Sequence, residues 1–165
     1  MWAAALVLLM AQADEPSCLT TDARVETVIS SKVTELEGQE YCQFRLYHTI
    51  NDVDGDGDAD FLVVFAVEAL GGGGNDSVQY LAVFASRAKW TPIILKVGQR
   101  GVRGVEAISV ESGEIISLLT AEHRKGDAMC CLSGRSELRY RLKGGQLLKV
   151  SAGRPTMSIW TPPVK

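Results

Sequence analysis

Five aspartates fall on alternate positions, Asp52, Asp54, Asp56, Asp58 and Asp60, with Gly55 and Gly57 set among them. Calcium takes about six to eight hard oxygen ligands, and a short chain can supply them locally only by curling round the ion. Asp52, Asp54 and Asp56 stand at loop positions one, three and five, Gly57 makes the sharp turn at six, and Asp60 returns at nine. Asp58, at seven, offers its backbone carbonyl. Without a cation the like charges repel one another and hold the loop open. The expected ligands are therefore Asp52, Asp54, Asp56, Asp58 and Asp60, and the expected cofactor is Ca2+.

The flanking residues say what holds this loop. A helix-loop-helix calcium hand needs a bidentate Glu at position twelve, and Val63 stands there. Immediately after the loop, the run Phe61–Val67 is rich in β-branched and aromatic residues and predicts a buried strand. Before the loop, Cys42, Phe44, Leu46, His48 and Ile50 alternate with Tyr41, Gln43, Arg45, Tyr47 and Thr49, the pattern of a half-buried strand. The loop thus joins two strands. From Asp52 to Leu62 the chain resembles the calcium loop of integrin-type (FG-GAP/VCBS-like) propeller repeats, in which Asp-x-Asp-x-Asp-Gly-x-x-Asp precedes an apolar strand. The motif occurs once here, and the chain is too short for a full propeller, so the resemblance implies the loop and not the fold.

A second resemblance spans more of the chain: the loop, its strand, a glycine run, Tyr80–Phe84, and Gly126-Asp127-Ala128-Met129-Cys130-Cys131 before a Tyr-containing strand. These features are similar to a group of small, secreted, mostly uncharacterised bacterial proteins. The resemblance implies export and a single domain and assigns no activity. In that group proline usually follows the vicinal cysteines, whereas Leu132 stands after them here.

Residues 1–13 form an apolar stretch ending in Ala11-Gln12-Ala13, the small-residue pattern of a signal peptide. It is shorter than the roughly 20 residues a membrane span requires. A periplasmic or secreted location is expected, with a single domain over 14–150 and a loosely held tail over 151–165 rich in proline. A net charge of −3 without a basic run argues against nucleic acid and anionic membranes. In an exported chain the four cysteines, Cys18, Cys42, Cys130 and Cys131, predict two disulfides. A bond between neighbouring cysteines needs strained geometry, so Cys130 and Cys131 are each expected to reach Cys18 or Cys42. Such bonds close loops of roughly 90 to 110 residues, for about 4 kcal/mol each in the chain-entropy model.

Apolar residues at Val25, Val28, Ile29, Val33 and Leu36 predict an amphipathic helix over 20–36, capped at Thr20, Thr21 or Asp22 and stopped by Gly38. Glycines 71–74 suggest a hairpin tip between strands at 61–69 and 79–85. Further strands are expected at 92–97, 104–110, 114–120, 137–142 and 146–150. The fold class is α+β: an N-terminal amphipathic helix packed on a largely antiparallel sheet of about six to eight strands.

The motifs Gly-x-Ser-x-Gly and His-Glu-x-x-His are absent from the sequence. The leading expectation is an exported, disulfide-bonded, calcium-binding, non-catalytic domain, a monomer serving as a binding or structural module for an envelope or extracellular protein. Its candidate contact segments are 71–77 and 121–134. The second expectation is a small periplasmic thiol-active or hydrolytic enzyme using His123, Asp127 and Cys130.

Overall fold

The structure, a computed structural model, describes residues 22–50, 52, 57–84, 91–111, 115–143 and 146–150. The expected signal peptide and C-terminal tail lie outside them, as do Thr20 and Thr21. The described elements are α1 (Ala23–Glu35), β1 (Gln39–Ile50), β2 (Asp60–Glu68), a one-turn α2 (Leu70–Gly73), β3 (Ser77–Phe84), β4 (Ile93–Gln99), β5 (Arg103–Glu111), β6 (Ile115–Glu122), β7 (Gly134–Lys143) and β8 (Gln146–Val150). The strands form one antiparallel sheet in chain order, β1 to β8.

The sheet folds on itself at its middle. Strands β4 and β5 share a single backbone pair, Gln99 with Arg103, so the two halves hinge there and bring one face of each together. Ile50, Leu62, Leu81 and Val97 from the first half and Val105, Ile116, Leu118 and Tyr140 from the second meet in one apolar cluster. The other face of the first half takes α1. Val25 and Ile29 pack with Val63, Phe65, Val67, Val78, Ala82 and Phe84 in a second cluster. Strand β2 is therefore covered on both faces, which is why residues 61–67 are apolar without alternation.

Helix α1 starts at Asp22, whose Oδ1 accepts from the Arg24 N–H at 2.8 Å. At its other end Gly38 N–H donates to Val33 O and Glu37 N–H to Thr34 O, a paired C-terminal cap. The left-handed residue in that cap is Glu37, with φ 47°. Gly38 is needed for a different reason: a Cβ there would lie 2.6 Å from the Glu68 carbonyl oxygen. The glycine run is likewise more than a hairpin tip. Gly71 and Gly72 take positive φ, and their N–H groups donate to Leu36 O and Glu37 O at 3.0 and 2.7 Å, tying the β2–β3 connection to the end of α1.

Candidate functional site

In an antiparallel meander every second connection falls at the same end. The aspartate loop, between Ile50 and Asp60, lies at one end with the connections before β4, β6 and β8. The connections 69–76, 100–102 and 123–133 gather at the other.

At the first end, Asp52 Oδ2 accepts a hydrogen bond from the Gly57 N–H at 2.7 Å. The first and sixth positions of the expected calcium loop are thus drawn together, and Gly57 has φ 92°, a region open to glycine and strained for other residues. Asp60 opens β2 opposite Ile50 and is 0 % exposed, whereas Asp58 is exposed. A carboxylate so deeply buried has to be compensated by donors or by a cation. Asp54 and Asp56 lie outside the described residues. Among the described residues no group of three or more His, Cys, Asp or Glu side chains converges. The donor chemistry fits a hard cation: an all-oxygen set, closed by a glycine turn and anchored on a strand.

At the second end the structure corrects the expected disulfide pairing. Cys130 is bonded to Cys131, across a trans-like Cα separation of 3.8 Å. Cys42 is disulfide-bonded too, and Cys18, the remaining cysteine of the chain, lies outside the described residues. The physical reason is local. Adjacent thiols meet without closing any long loop, and the connection that carries them is wound tightly, with Cys131 N–H donating to Ala128 O at 2.9 Å. By the same token this bond does not bring the stabilisation expected of a crosslink over a long loop.

The winding is done by Asp127, a residue whose sequence setting suggested a chemical role. One of its oxygens, Oδ2, accepts from Ser133 N–H and from Arg124 N–H, each at 2.8 Å. Those donors, Ser133 first, hold the carboxyl down to about 2, against an ordinary 3.8. Its folded form thus gives up its proton more readily than the unfolded one. The loop is expected to be fully stapled above about pH 4 and to loosen as the pH falls through about 2. The amide resonances of Arg124 and Ser133 check this: their acid titration should centre near 2, and a midpoint near the unperturbed aspartate value would refute the staple.

His123, Asp127 and Cys130 share this connection without forming a nucleophile and base. Cys130 is oxidised with Cys131, the Asp127 carboxylate is taken by backbone N–H groups, and His123 Nε2 lies 3.0 Å from the Asp127 backbone oxygen. His48 is half-buried opposite Leu62.

A feature the linear sequence does not announce lies beside this loop, an open cavity of about 490 Å3 at the mouth between the two halves of the sheet. Inward-facing Glu68, Gln79 and Arg103 reach it from β2, β3 and β5, beneath Met129, Cys130 and Leu132 of the 123–133 connection, and Gln99 of β4 borders it with its side chain turned to the other face, toward Lys96. Gln79 Oε1 accepts from the Val105 N–H at 2.7 Å. Arg103 is held by Glu122 Oε1, 2.7 Å from Nε and 2.6 Å from Nη2. The Ser136 hydroxyl donates to the same oxygen, and these bonds, that of Ser136 foremost, lower the pKa of Glu122. The signal for the cavity in the sequence is the switch at strand ends from Val and Leu to Glu, Gln and Arg on one face.

Comparison of the chain with protein-family models, with curated proteins and with solved structures finds no match. Function is therefore to be sought in the geometry and in the residues themselves.

Proposed function

We propose that this is an exported, non-catalytic binding module, with calcium clamping one end of the sheet and a ligand or protein partner engaged at the other. The observation that carries the reading is the separation of the two ends. The candidate contact segment 121–134 lines the cavity with Met129, Cys130 and Leu132, and segment 71–77 reaches it at Ser77, while the aspartate loop stands across the length of the sheet from it. Rigid strands fix both, and loops on a rigid scaffold are where binding residues concentrate.

Calcium in this reading is structural. It relieves the repulsion among Asp52, Asp54, Asp56, Asp58 and Asp60 and ties the exit of β1 to the entry of β2. Extracellular calcium modules bind in the range of about 0.1 to 1 mM, suited to a medium in which the ion is always present. The oxidised Cys130–Cys131 pair and the disulfide-bonded Cys42 accord with an oxidising compartment. Among the described residues no helix is long and apolar enough to cross a membrane.

Thermal unfolding of the chain in millimolar calcium, in magnesium and in chelator tests the proposal. Calcium at about 100 times its Kd is expected to stabilise by about 2.7 kcal/mol, with a smaller effect of magnesium. Asp52→Ala or Asp56→Ala should lower the midpoint in calcium and abolish its calcium dependence. A calcium response that survives both substitutions would place the ion elsewhere, and no response at all would remove calcium from the reading.

A further inference from the structure

We infer that the cavity beside the Cys130–Cys131 loop is a binding site for a neutral saccharide. This rests on the binding-module reading and gives that module its ligand class.

The first observation is the change of chemistry along the inner face of the sheet. On β2 the inward positions run Leu62, Val64, Ala66 and then Glu68; on β3 they run Val83, Leu81 and then Gln79. Arg103 likewise stands next to Val105 in the inward row of β5. Three strands therefore end their core-facing rows with a hydrogen-bonding side chain at one mouth, where apolar residues would have extended the core and closed the space. A cavity of about 490 Å3 falls within the roughly 300 to 1,000 Å3 of small-molecule sites.

The second observation is how these groups are oriented. Gln79 spends its carbonyl oxygen on Val105, which leaves its amide N–H groups as the available donors. Arg103 is fixed by Glu122 and retains further N–H donors. Glu68 is the acceptor of the set. Arg100, which also lines the cavity, and Arg103 are matched in formal charge by Glu68 and by Glu122, the ion-pair partner of Arg103, so a ligand need bring no charge of its own. It must instead both accept and donate hydrogen bonds, as a hydroxyl does.

The third is the apolar wall. Phe44 faces the cavity, Tyr41 stands at its edge at 41 % exposure and Met129 at 66 %, large apolar surface left at the rim of a polar pocket. A sugar ring meets both demands, with hydroxyls at its circumference for Glu68, Gln79 and Arg103 and a face of C–H groups for Phe44 and Met129. The disulfide loop, stapled by Asp127, keeps Met129 and Leu132 in place over the mouth and so reduces the ordering cost of binding.

The test is a 15N-1H NMR titration of the intact chain in calcium with glucose, galactose, N-acetylglucosamine, maltose and chitobiose, and separately with acetate and glycylglycine. The expected result is saturable shifts at Glu68, Gln79, Arg103 and Met129 with at least one saccharide and none with acetate. Glu68→Ala should weaken that binding by about tenfold or more, as loss of a bond to a charged group does. Met129→Ala at the exposed rim, a variant that empties no buried volume, should weaken it by severalfold. Silence of every saccharide overturns the inference. Saturable shifts from acetate or glycylglycine alone overturn the saccharide class while leaving a binding module, and silence of all seven probes at this end counts against the module as well, independently of the calcium response.

Discussion

Arg45→Met is expected to destabilise the protein by about 3 kcal/mol or more, the loss typical of removing one partner from a buried ion pair. Arg45 lies on β1 beneath α1, with its side chain only 5 % exposed. Its Nη2 donates to Glu40 Oε2 at 2.7 Å while Nε engages Oε1, a two-pronged bond, and Nη1 reaches Glu26 Oε1 on α1 at 2.8 Å. The Glu40 bonds, foremost, push the guanidinium pKa above its already high value, so the charge is permanent at any working pH. Methionine keeps most of the stem's packing and removes the charge, which leaves Glu40 without its cation in a largely buried position. Glu26 is more exposed and turns to water at little cost. Chemical denaturation of the single variant and of Arg45→Met with Glu40→Leu separates these contributions. The double variant should recover most of the loss, because no uncompensated charge remains. A single-variant loss below about 1 kcal/mol would mean that water reaches Glu40 and that the link between α1 and β1 is apolar only.

That Arg45 is buried at all marks where sequence patterning stops being informative. Alternation along β1 assigns Tyr41, Gln43, Arg45, Tyr47 and Thr49 to a polar face, and a polar face ordinarily meets solvent. Part of it lies under α1, and the charge is tolerated there because Glu26 and Glu40 converge on it from a helix and from the same strand. Such convergence is a tertiary fact, invisible to a period of two. Where burial alone decides the pattern, more of the fold is legible. The unbroken run 61–67 is β2, covered on both faces, and the turn signals separate strands close to those observed through to β8. The helical spacing of Val25, Val28, Ile29, Val33 and Leu36 matches residues packed in the cluster over β2 and β3.

The candidate sites divide in the same way. The aspartate loop is legible because metal-ligand spacing is local, and the Asp52–Gly57 closure is a contact five residues apart. The cavity is not, since Glu68, Gln79 and Arg103 meet only when the sheet folds between β4 and β5. Cysteine pairing is an intermediate case. Strain disfavours a bond between neighbours in a chain of unspecified conformation, and the balance against distant partners changes once Asp127 winds the loop.

Phe65→Ala is expected to cost about 3 to 5 kcal/mol, the range for emptying an aromatic from a close-packed core. The Phe65 ring is 0 % exposed and stacks on Tyr80 at 5.6 Å between centroids, in the cluster that Val25 and Ile29 of α1 close from above. Its neighbours are held by the sheet on one side and by a helix pinned at both ends, at Asp22 and at the Gly71–Gly72 turn, so collapse into the void is resisted. At about 2 to 4 °C per kcal/mol for a domain of this size, the thermal midpoint should fall by about 10 °C. Phe65 faces α1, whereas Val64 and Ala66 face the other half of the sheet and its cavity. The variant should therefore lose stability while its folded fraction binds at the cavity as before, and Leu119→Ala on the exposed face should change the midpoint by no more than about 2 °C. A loss near 1 kcal/mol for Phe65→Ala would mean that α1 settles into the vacated volume, making the helix an adjustable cover and leaving the cluster between the two halves of the sheet as the principal core.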